Sequence, residues 1–309
     1  MKINIITHRN GSGLERDAAI LINLFTSAGW VARFHEYHDP LAPPPADVNI
    51  FLELYRAEWA TAPRNYLIPN QEWFEARWIG GLSRLTAVLA KSRYAEKMFS
   101  QWAETKYIGF TSEDIEDSGI LTRNRQFIHI RGRSTTKGTV QAIQAWIENP
   151  TLPPLHIYTH RSWTPEENKL LETQPDNIIL HTSRLPGPAF RRLMNESLFH
   201  VCPSPCEGFG HYINEAKACG NIVITTDAPP MNELIHDNIT GFTVPIEKTE
   251  RFNLDVKYIP APSGIALAAR TCLALDSDMI HGISRACRVS YLKGKQEFEE
   301  RILKIIAHE

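Results

Sequence analysis

Apolar and polar positions follow a repeating strand–helix order along most of the chain. A short apolar run at Lys2–Thr7 precedes a glycine-containing turn at 10–13, and apolar residues then recur at helical spacing from 15 to 28. Strand, glycine turn and helix in that order open a Rossmann-like unit. The pattern predicts four more strands in this part of the chain, at 31–35, 48–52, 66–68 and 85–89.

A polar stretch at 112–125 interrupts this alternation, and a second alternating run begins at 126–130. This run contains a predicted helix at 139–147, a helical tail from 264 onward, and strands near 155–158, 177–180, 198–202 and 222–225. Alternating strands and helices are typical of α/β domains with parallel sheets. We therefore predict a Rossmann-like domain at 1–120, a second at 121–285, and a final helix at 286–309.

Composition narrows the class of protein. The 309 residues are 43% hydrophobic and 22% charged, which favours a globular chain long enough for two domains. The net charge of −2 argues against a protein that coats nucleic acid. Neither a signal-peptide order nor an apolar run of about 20 residues occurs. The five cysteines form no paired zinc motif, so we expect a cytoplasmic, reducing environment.

The most informative segment, CPSPCEGFGHYINEA at 202–216, follows a predicted strand and enters a helix. Gly208 and Gly210 let the backbone approach a ligand closely, and the free N–H groups of the helix start favour an electron-rich partner. His211 and Glu215 lie one helical turn apart on the same face. Together with Glu207, they are predicted to lie at the carboxyl end of a strand, where open α/β sheets bind ligands.

This segment resembles the Glu-x7-Glu signature of retaining glycosyltransferases of the GT-B fold, family 4. The resemblance continues through 216–227, 233–235 and 241–242. It implies two Rossmann-like domains that face each other across a cleft, with a last helix that crosses back to the first domain. It also implies a nucleoside-diphosphate sugar as donor substrate, with no cofactor, and transfer to an acceptor hydroxyl with retention.

The same resemblance implies roles for single residues. Glu207 is expected beside the donor sugar, and Glu215 is expected to bind the ribose hydroxyls of the nucleotide. The backbone of Gly208, Phe209 and Gly210 is expected to meet the sugar. His211 is a donor-side candidate that departs from the pattern, because many members of the family have an aliphatic residue there, and it is expected to tune the choice of donor or acceptor.

Cations in the loop at 130–138 suit a diphosphate, since Arg binds it bidentately and Lys binds as a point charge. The family carries an Arg and a Lys here, which implies Arg133 and Lys137 as catalytic cations, and Arg131 is the alternative for the Arg role.

Two further segments are donor-side candidates. Gly11, Ser12 and Gly13 resemble the loop of the first domain that faces the donor phosphates, although a plain turn is the alternative. Met231 and Asn232 open a helix after two prolines, and its N-terminus suits phosphate. Glu233 in the same helix is equally well explained as a first-turn carboxylate.

Asn70, Glu72 and Trp73 follow a strand of the first domain, the half that binds acceptors in this fold. Amide, carboxyl and aromatic groups suit a sugar or a base, while the alternative is a capped amphipathic helix with Trp73 in the core. A looser similarity to phage-type enzymes that glycosylate modified DNA bases leaves DNA open as an acceptor.

No metal site is predicted, because Asp276-Ser277-Asp278 lies in the helical tail, far from the other motifs, and fits a turn. Two functional alternatives remain: a non-catalytic nucleotide-sugar-binding module and a sugar phosphorylase of the same fold.

Overall fold

The computed structural model describes residues 1–11, 13–120, 122–132, 134–173 and 175–308. Within these residues the chain forms two six-stranded parallel sheets, each flanked by helices, and one antiparallel hairpin. Most strands are buried runs of apolar residues, as expected for parallel sheets covered on both faces.

The first sheet has the strand order β2-β1-β3-β4-β5-β6, with every pair parallel. The order reverses between β1 and β3, so the loops after these strands open a crevice between them. The elements of this half are β1 (Lys2–Thr7), α1 (Gly13–Ser27), β2 (Val31–Glu36), β3 (Val48–Leu52), β4 (Arg64–Ile68), β5 (Ala87–Ala90), α2 (Arg93–Phe99) and β6 (Thr105–Tyr107). Short 3-10 segments lie at Ala57–Trp59, Gln71–Trp73 and Ala76–Arg84.

The second sheet has the order β12-β11-β10-β7-β8-β9 and is also parallel throughout. Its first and fourth strands, β7 and β10, lie side by side at the point of reversal, as in dinucleotide-binding domains. The elements are β7 (Asn124–Gly132), α3 (Thr139–Ile147), β8 (Leu155–Thr159), α4 (Pro165–Leu171), β9 (Ile178–His181), α5 (Gly187–Glu196), β10 (Ser197–Cys202), α6 (His211–Ala218), β11 (Ile222–Thr226), α7 (Met231–Leu234) and β12 (Gly241–Val244).

The antiparallel hairpin was not predicted from the sequence. It consists of β13 (Ile246–Phe252) and β14 (Asp255–Pro260) and reaches the first half of the chain. Tyr94 donates a hydrogen bond of 2.5 Å to Asp255, and the Asn253 amide donates one of 2.8 Å to the Glu72 carbonyl. The hairpin therefore joins the two sheets on the side of the predicted acceptor segment.

The helical tail consists of α8 (Pro262–Ala274) and α9 (Ser277–His308). The first part of α9 packs in the core of the second sheet through Ile283 and Cys287. Its last part packs in the core of the first sheet through three residues that are fully buried there: Phe298, Ile302 and Ile306. A single helix of 32 residues thus connects both cores.

Replacing Phe298 with Ala should destabilise the protein by about 3–5 kcal/mol, because the ring is fully buried and lies 4.8 Å from the Phe110 ring. Urea unfolding followed by circular dichroism and tryptophan fluorescence measures the loss. The matched control is Leu292→Ala on the same helix, where the side chain is 45% exposed and the expected change is below about 1 kcal/mol. Equal losses in both variants would contradict the packing of α9 on the first sheet.

Candidate active site

Glu207 lies in the loop between β10 and α6, and two glycines shape this loop. Gly210 has φ 98°, a left-handed conformation that favours glycine, at the point where the chain turns into α6. Gly208 lies against the first domain, and a Cβ at this position would overlap the Asn70 side chain. The loop is thus held close to the segment that follows β4.

Lys137 and Glu207 meet because the loops after the adjacent strands β7 and β10 open at the same edge of the second sheet. The Lys137 Nζ lies 2.5 Å from Glu207 Oε1, and Ser204 donates a hydrogen bond of 2.6 Å to the same oxygen. Lys137 Nζ also lies 4.0 Å from the centre of the Tyr212 ring. A cation and a carboxylate are therefore positioned together at the point of strand reversal, where a ligand is expected.

The two arginines predicted as alternatives at the diphosphate site are not among the residues described beside Lys137 and Glu207. Arg133 lies outside the described residues. The alternative, Arg131, is buried, and its guanidinium forms two bonds to Glu167, at 2.8 and 2.9 Å. Arg131 is therefore held in an internal ion pair of the second domain, and this pairing does not favour the alternative role.

Helix α6 presents Glu215 and His211 to the start of α1, as their common face predicts. Arg16 Nη1 lies 2.6 Å from Glu215 Oε1, and His211 Nε2 lies 2.6 Å from Asp17 Oδ1. The other oxygen of Asp17 is 2.5 Å from Lys91 Nζ. Burial alone would raise the pKa of Asp17, but the charges of Lys91 and His211 lower it below its ordinary value. Asp17 is therefore an ionised, buried link between the domains.

The glycine turn of the first domain leads directly into these contacts. Gly11 adopts φ 66°, and Gly13 begins α1, whose first turns carry Arg16 and Asp17. Ser12 lies outside the described residues. The turn thus brings the start of α1 opposite the Glu207 loop, although a phosphate-binding role for the glycines stays a prediction.

The acceptor candidates lie beside the Glu207 loop. Asn70 accepts a hydrogen bond of 2.9 Å from Lys91 and donates one of 2.6 Å to Glu53. The neighbouring Gln71 donates a hydrogen bond of 2.6 Å to the Glu207 carbonyl. The segment after β4 therefore contacts the second domain directly at the Glu207 loop.

Glu72 and Trp73 differ sharply in their surroundings. Glu72 is 7% exposed, and its burial raises the pKa to about 8, with a further rise from the negative charges of Glu207 and Glu53. The Trp73 ring is 46% exposed and stands edge-on to Phe252 at 5.2 Å. Trp73 is thus available to a ligand and does not lie in the core.

Three remaining donor-side candidates make structural contacts. Phe209 is buried against Phe110 at a ring distance of 5.5 Å and belongs to the core of the first sheet, so only its backbone is available to a sugar. Met231 is fully buried in the second domain, and the Asn232 amide donates a hydrogen bond of 3.1 Å to Asp227. The prediction for Met231 and Asn232 therefore concerns the backbone at the start of α7.

Glu233, left undecided by the sequence, has a clear contact. Its carboxylate accepts hydrogen bonds of 2.7 and 2.8 Å from the backbone N–H groups of Arg93 and Tyr94, at the start of α2 in the first domain. This is a dipole-pairing role, but with a helix of the other domain rather than its own.

Several residues of the site were missed as candidates: Arg16, Asp17, Glu53, Gln71, Ser204 and Tyr212. Glu53 and Gln71 follow the strands β3 and β4, and Arg16 and Asp17 begin the helix after the glycine turn. Their position at the carboxyl ends of parallel strands was the available signal. Ser204 and Tyr212 could have been found only as neighbours of Glu207 within the motif.

Two sheets of this topology, with facing loops at their carboxyl ends, define the GT-B fold. Residues 111–260 match the family model "Glycosyl transferases group 1", so this part of the chain is similar to the domains of that family. A search of the curated protein sequences gives no significant match to the chain.

The solved structures show the same fold over the whole chain. HepE of Anabaena, in complex with UDP and glucose, matches with a TM-score of 0.74 at 14% identity, covering 100% of both chains. A glycosyltransferase from Rickettsia africae matches with a TM-score of 0.72 at 15% identity, covering 100% of this chain and 99% of that one. Sucrose-phosphate synthase of Thermosynechococcus elongatus matches with a TM-score of 0.70 at 12% identity, covering 99% and 98%.

Across the described part of the chain, no three His, Cys, Asp or Glu side chains are grouped so that they could hold a metal ion. In the same residues, no helix has the length and apolar character needed to cross a membrane.

Replacing Glu72 with Gln should remove a pH dependence of stability. The folded protein keeps the Glu72 proton up to a pH of about 8, whereas the unfolded chain loses it near the ordinary value of 4.5. The free energy of unfolding should therefore fall as the pH rises from 4.5 to about 8, by at most roughly 1.4 kcal/mol per pH unit from this group.

Urea unfolding at several pH values tests this, with Glu58→Gln as the control because the Glu58 side chain is 71% exposed. Only Glu72→Gln should flatten the profile and stabilise the protein above pH 8. The same slope in wild type and Glu72→Gln would contradict the assignment.

Proposed function

We propose that this protein is a retaining glycosyltransferase that transfers a sugar from a nucleoside-diphosphate sugar to an acceptor hydroxyl. The observation that carries the proposal is the pairing of Lys137 with Glu207 at the strand reversal of the group 1 domain. A binding module would need the same fold, but it would not need a cation and a carboxylate fixed 2.5 Å apart at the ligand edge.

Lys137 supports catalysis by its charge. When the glycosidic bond to the diphosphate breaks, negative charge accumulates on the leaving oxygen, and a fixed cation stabilises that charge more in the transition state than in the ground state. Glu207 is held by Lys137 and Ser204, so its carboxylate is oriented in advance. In the proposed reaction, Glu207 positions the donor sugar, and the leaving phosphate accepts the proton of the acceptor hydroxyl.

Glu215 and Arg16 support the binding of the nucleotide. The Glu215 carboxylate is buried, whereas the Arg16 side chain that pairs with it is 53% exposed and can move. We propose that the two ribose hydroxyls donate to Glu215 in place of Arg16. The released guanidinium is then free to contact the diphosphate, which it can bind bidentately.

UDP-sugars are the first donors to test. HepE of Anabaena has been solved with UDP-glucose, and an Escherichia coli protein of the same fold has been solved with UDP-2-fluoro glucose. The acceptor is proposed to lie on the first domain, along Asn70, Glu72 and the exposed ring of Trp73. A glycan, a lipid, a small molecule and a modified DNA base are the acceptor classes to compare. The five cysteines are free thiols, which supports action in the cytoplasm.

Lys137→Met should lower kcat by about ten- to a hundredfold, because a charge-assisted contact contributes roughly 1.5–3 kcal/mol. Release of UDP from a panel of UDP-sugars, with and without acceptors, measures the rate. Lys169→Met, which removes an exposed charge on α4, is the matched control and should retain full activity. Calorimetry should show weaker UDP binding but unchanged uridine binding in Lys137→Met.

Glu207→Gln should remain folded and lose most of its transfer activity. Turnover of Glu207→Gln within about threefold of wild type, under 1 kcal/mol in the barrier, would exclude the proposed role. If UDP binds but no UDP-sugar is ever turned over, the non-catalytic module is the correct alternative. Release of sugar phosphate from a polymer in inorganic phosphate would instead identify a phosphorylase.

Turnover should be unchanged by EDTA. In the proposed mechanism, Lys137 and Arg133 stabilise the negative charge of the leaving group, and no divalent ion is required. The measurement compares initial rates before and after chelation, with added Mg²⁺ or Mn²⁺ as the control. Loss of activity with EDTA that either ion restores would show that a metal takes part.

A further inference from the structure

A cavity of about 480 Å³ lies between the two domains on the side of α9. Its walls come from α6, α7, α9 and the segment that links the two sheets. Apolar side chains form much of the surface, and two of them at the rim, Ile239 and Val289, are 61% and 56% exposed. The basic residues that line it are Lys91, Lys217, His236, Lys293 and Arg301.

Lys217, in the last turn of α6, is 4% exposed and lines this cavity. Among the described residues, no carboxylate lies within ion-pair distance of its ammonium. Burial lowers the pKa of Lys217 to about 8. The side chain of Lys217 is largely buried and has no ion-pair partner among the described residues, so a ligand in the cavity that replaced its lost hydration would be favoured.

The carboxylates of the cavity are already engaged elsewhere. Glu233 accepts the two N–H groups at the start of α2. Glu297 lies 2.6 Å from Arg301 and 3.8 Å from Lys293. Lys91, the other buried lysine, is paired with Asp17. The cavity therefore has one buried cation with unused donors beside an apolar wall.

We propose that this cavity binds a small organic anion, with its phosphate or carboxylate group on Lys217 and its apolar part against Phe110, Leu234 and Val289. Neither Lys137 nor Glu207 lines this cavity. Helix α6 begins at the Glu207 loop, and Lys217 lies six residues beyond its first residue, about 9 Å along the helix axis. The inference does not depend on the proposed transferase activity.

The experiment is isothermal titration of the full chain with three probes: inorganic phosphate, phenyl phosphate and benzoate. Wild type should bind at least one of them, and phenyl phosphate should bind more tightly than inorganic phosphate because its ring adds apolar contact. Lys217→Met should weaken that binding more than tenfold, while the exposed Lys169→Met control should not. Binding should persist in Lys137→Ala, which distinguishes the cavity from the donor site.

A second measurement covers the case in which Lys217→Met misfolds. In wild type, the bound probe should protect Lys217 from acylation by a small lysine reagent, as mapped by mass spectrometry. The probe that binds best shows whether the site prefers a phosphate group, as in phenyl phosphate, or a carboxylate group, as in benzoate.

Three results would overturn the proposal. The first is that none of the probes binds wild type. The second is that Lys217→Met and wild type bind them equally, with no protection of Lys217. The third is that Lys137→Ala abolishes all binding, which would place the anion in the donor site.

Discussion

The contact between the two domains depends on one buried carboxylate. Asp17 comes from the first domain and lies between Lys91 of the same domain and His211 of the second. Removing either partner would leave this buried charge with only one compensating group, which is unfavourable. This link holds the start of α1 against α6 and so determines where Arg16 meets Glu215.

The Glu207 loop and the segment after β4 lie in direct contact because of the residues at their meeting point. Gly208 has no side chain to collide with Asn70, and Gln71 satisfies the Glu207 carbonyl from the opposite domain. The two sheets contribute unequally: the second supplies the paired Lys137 and Glu207, and the first supplies a wall of amide, carboxyl and aromatic groups. This division suits a reaction in which a charged leaving group lies on one side and an uncharged hydroxyl on the other.

Helix α9 also connects the two domains. Because it packs in both cores, it forms one wall of the cavity that contains Lys217. Helix α6 has the Glu207 loop at its first residue and Lys217 in its last turn. An anion at Lys217 would therefore contact the same helix that positions Glu215 and His211.

The sequence alone determined the fold class, most strands and the Glu207 motif, because the periodicity of buried strands and the glycine turns are local features. It also predicted that Glu207, His211 and Glu215 belong to one loop and helix start. Only the tertiary structure decided their partners. Arg16 and Glu215 are 199 residues apart, and Asp17 and His211 are 194 apart. Such pairs depend on domain packing, which no local spacing encodes. The contacts of Trp73 with Phe252 and of Glu233 with the start of α2 also connect the two halves of the chain, for the same reason. The Arg131–Glu167 pair lies within the second domain, but its partners are 36 residues apart, which is also beyond local spacing.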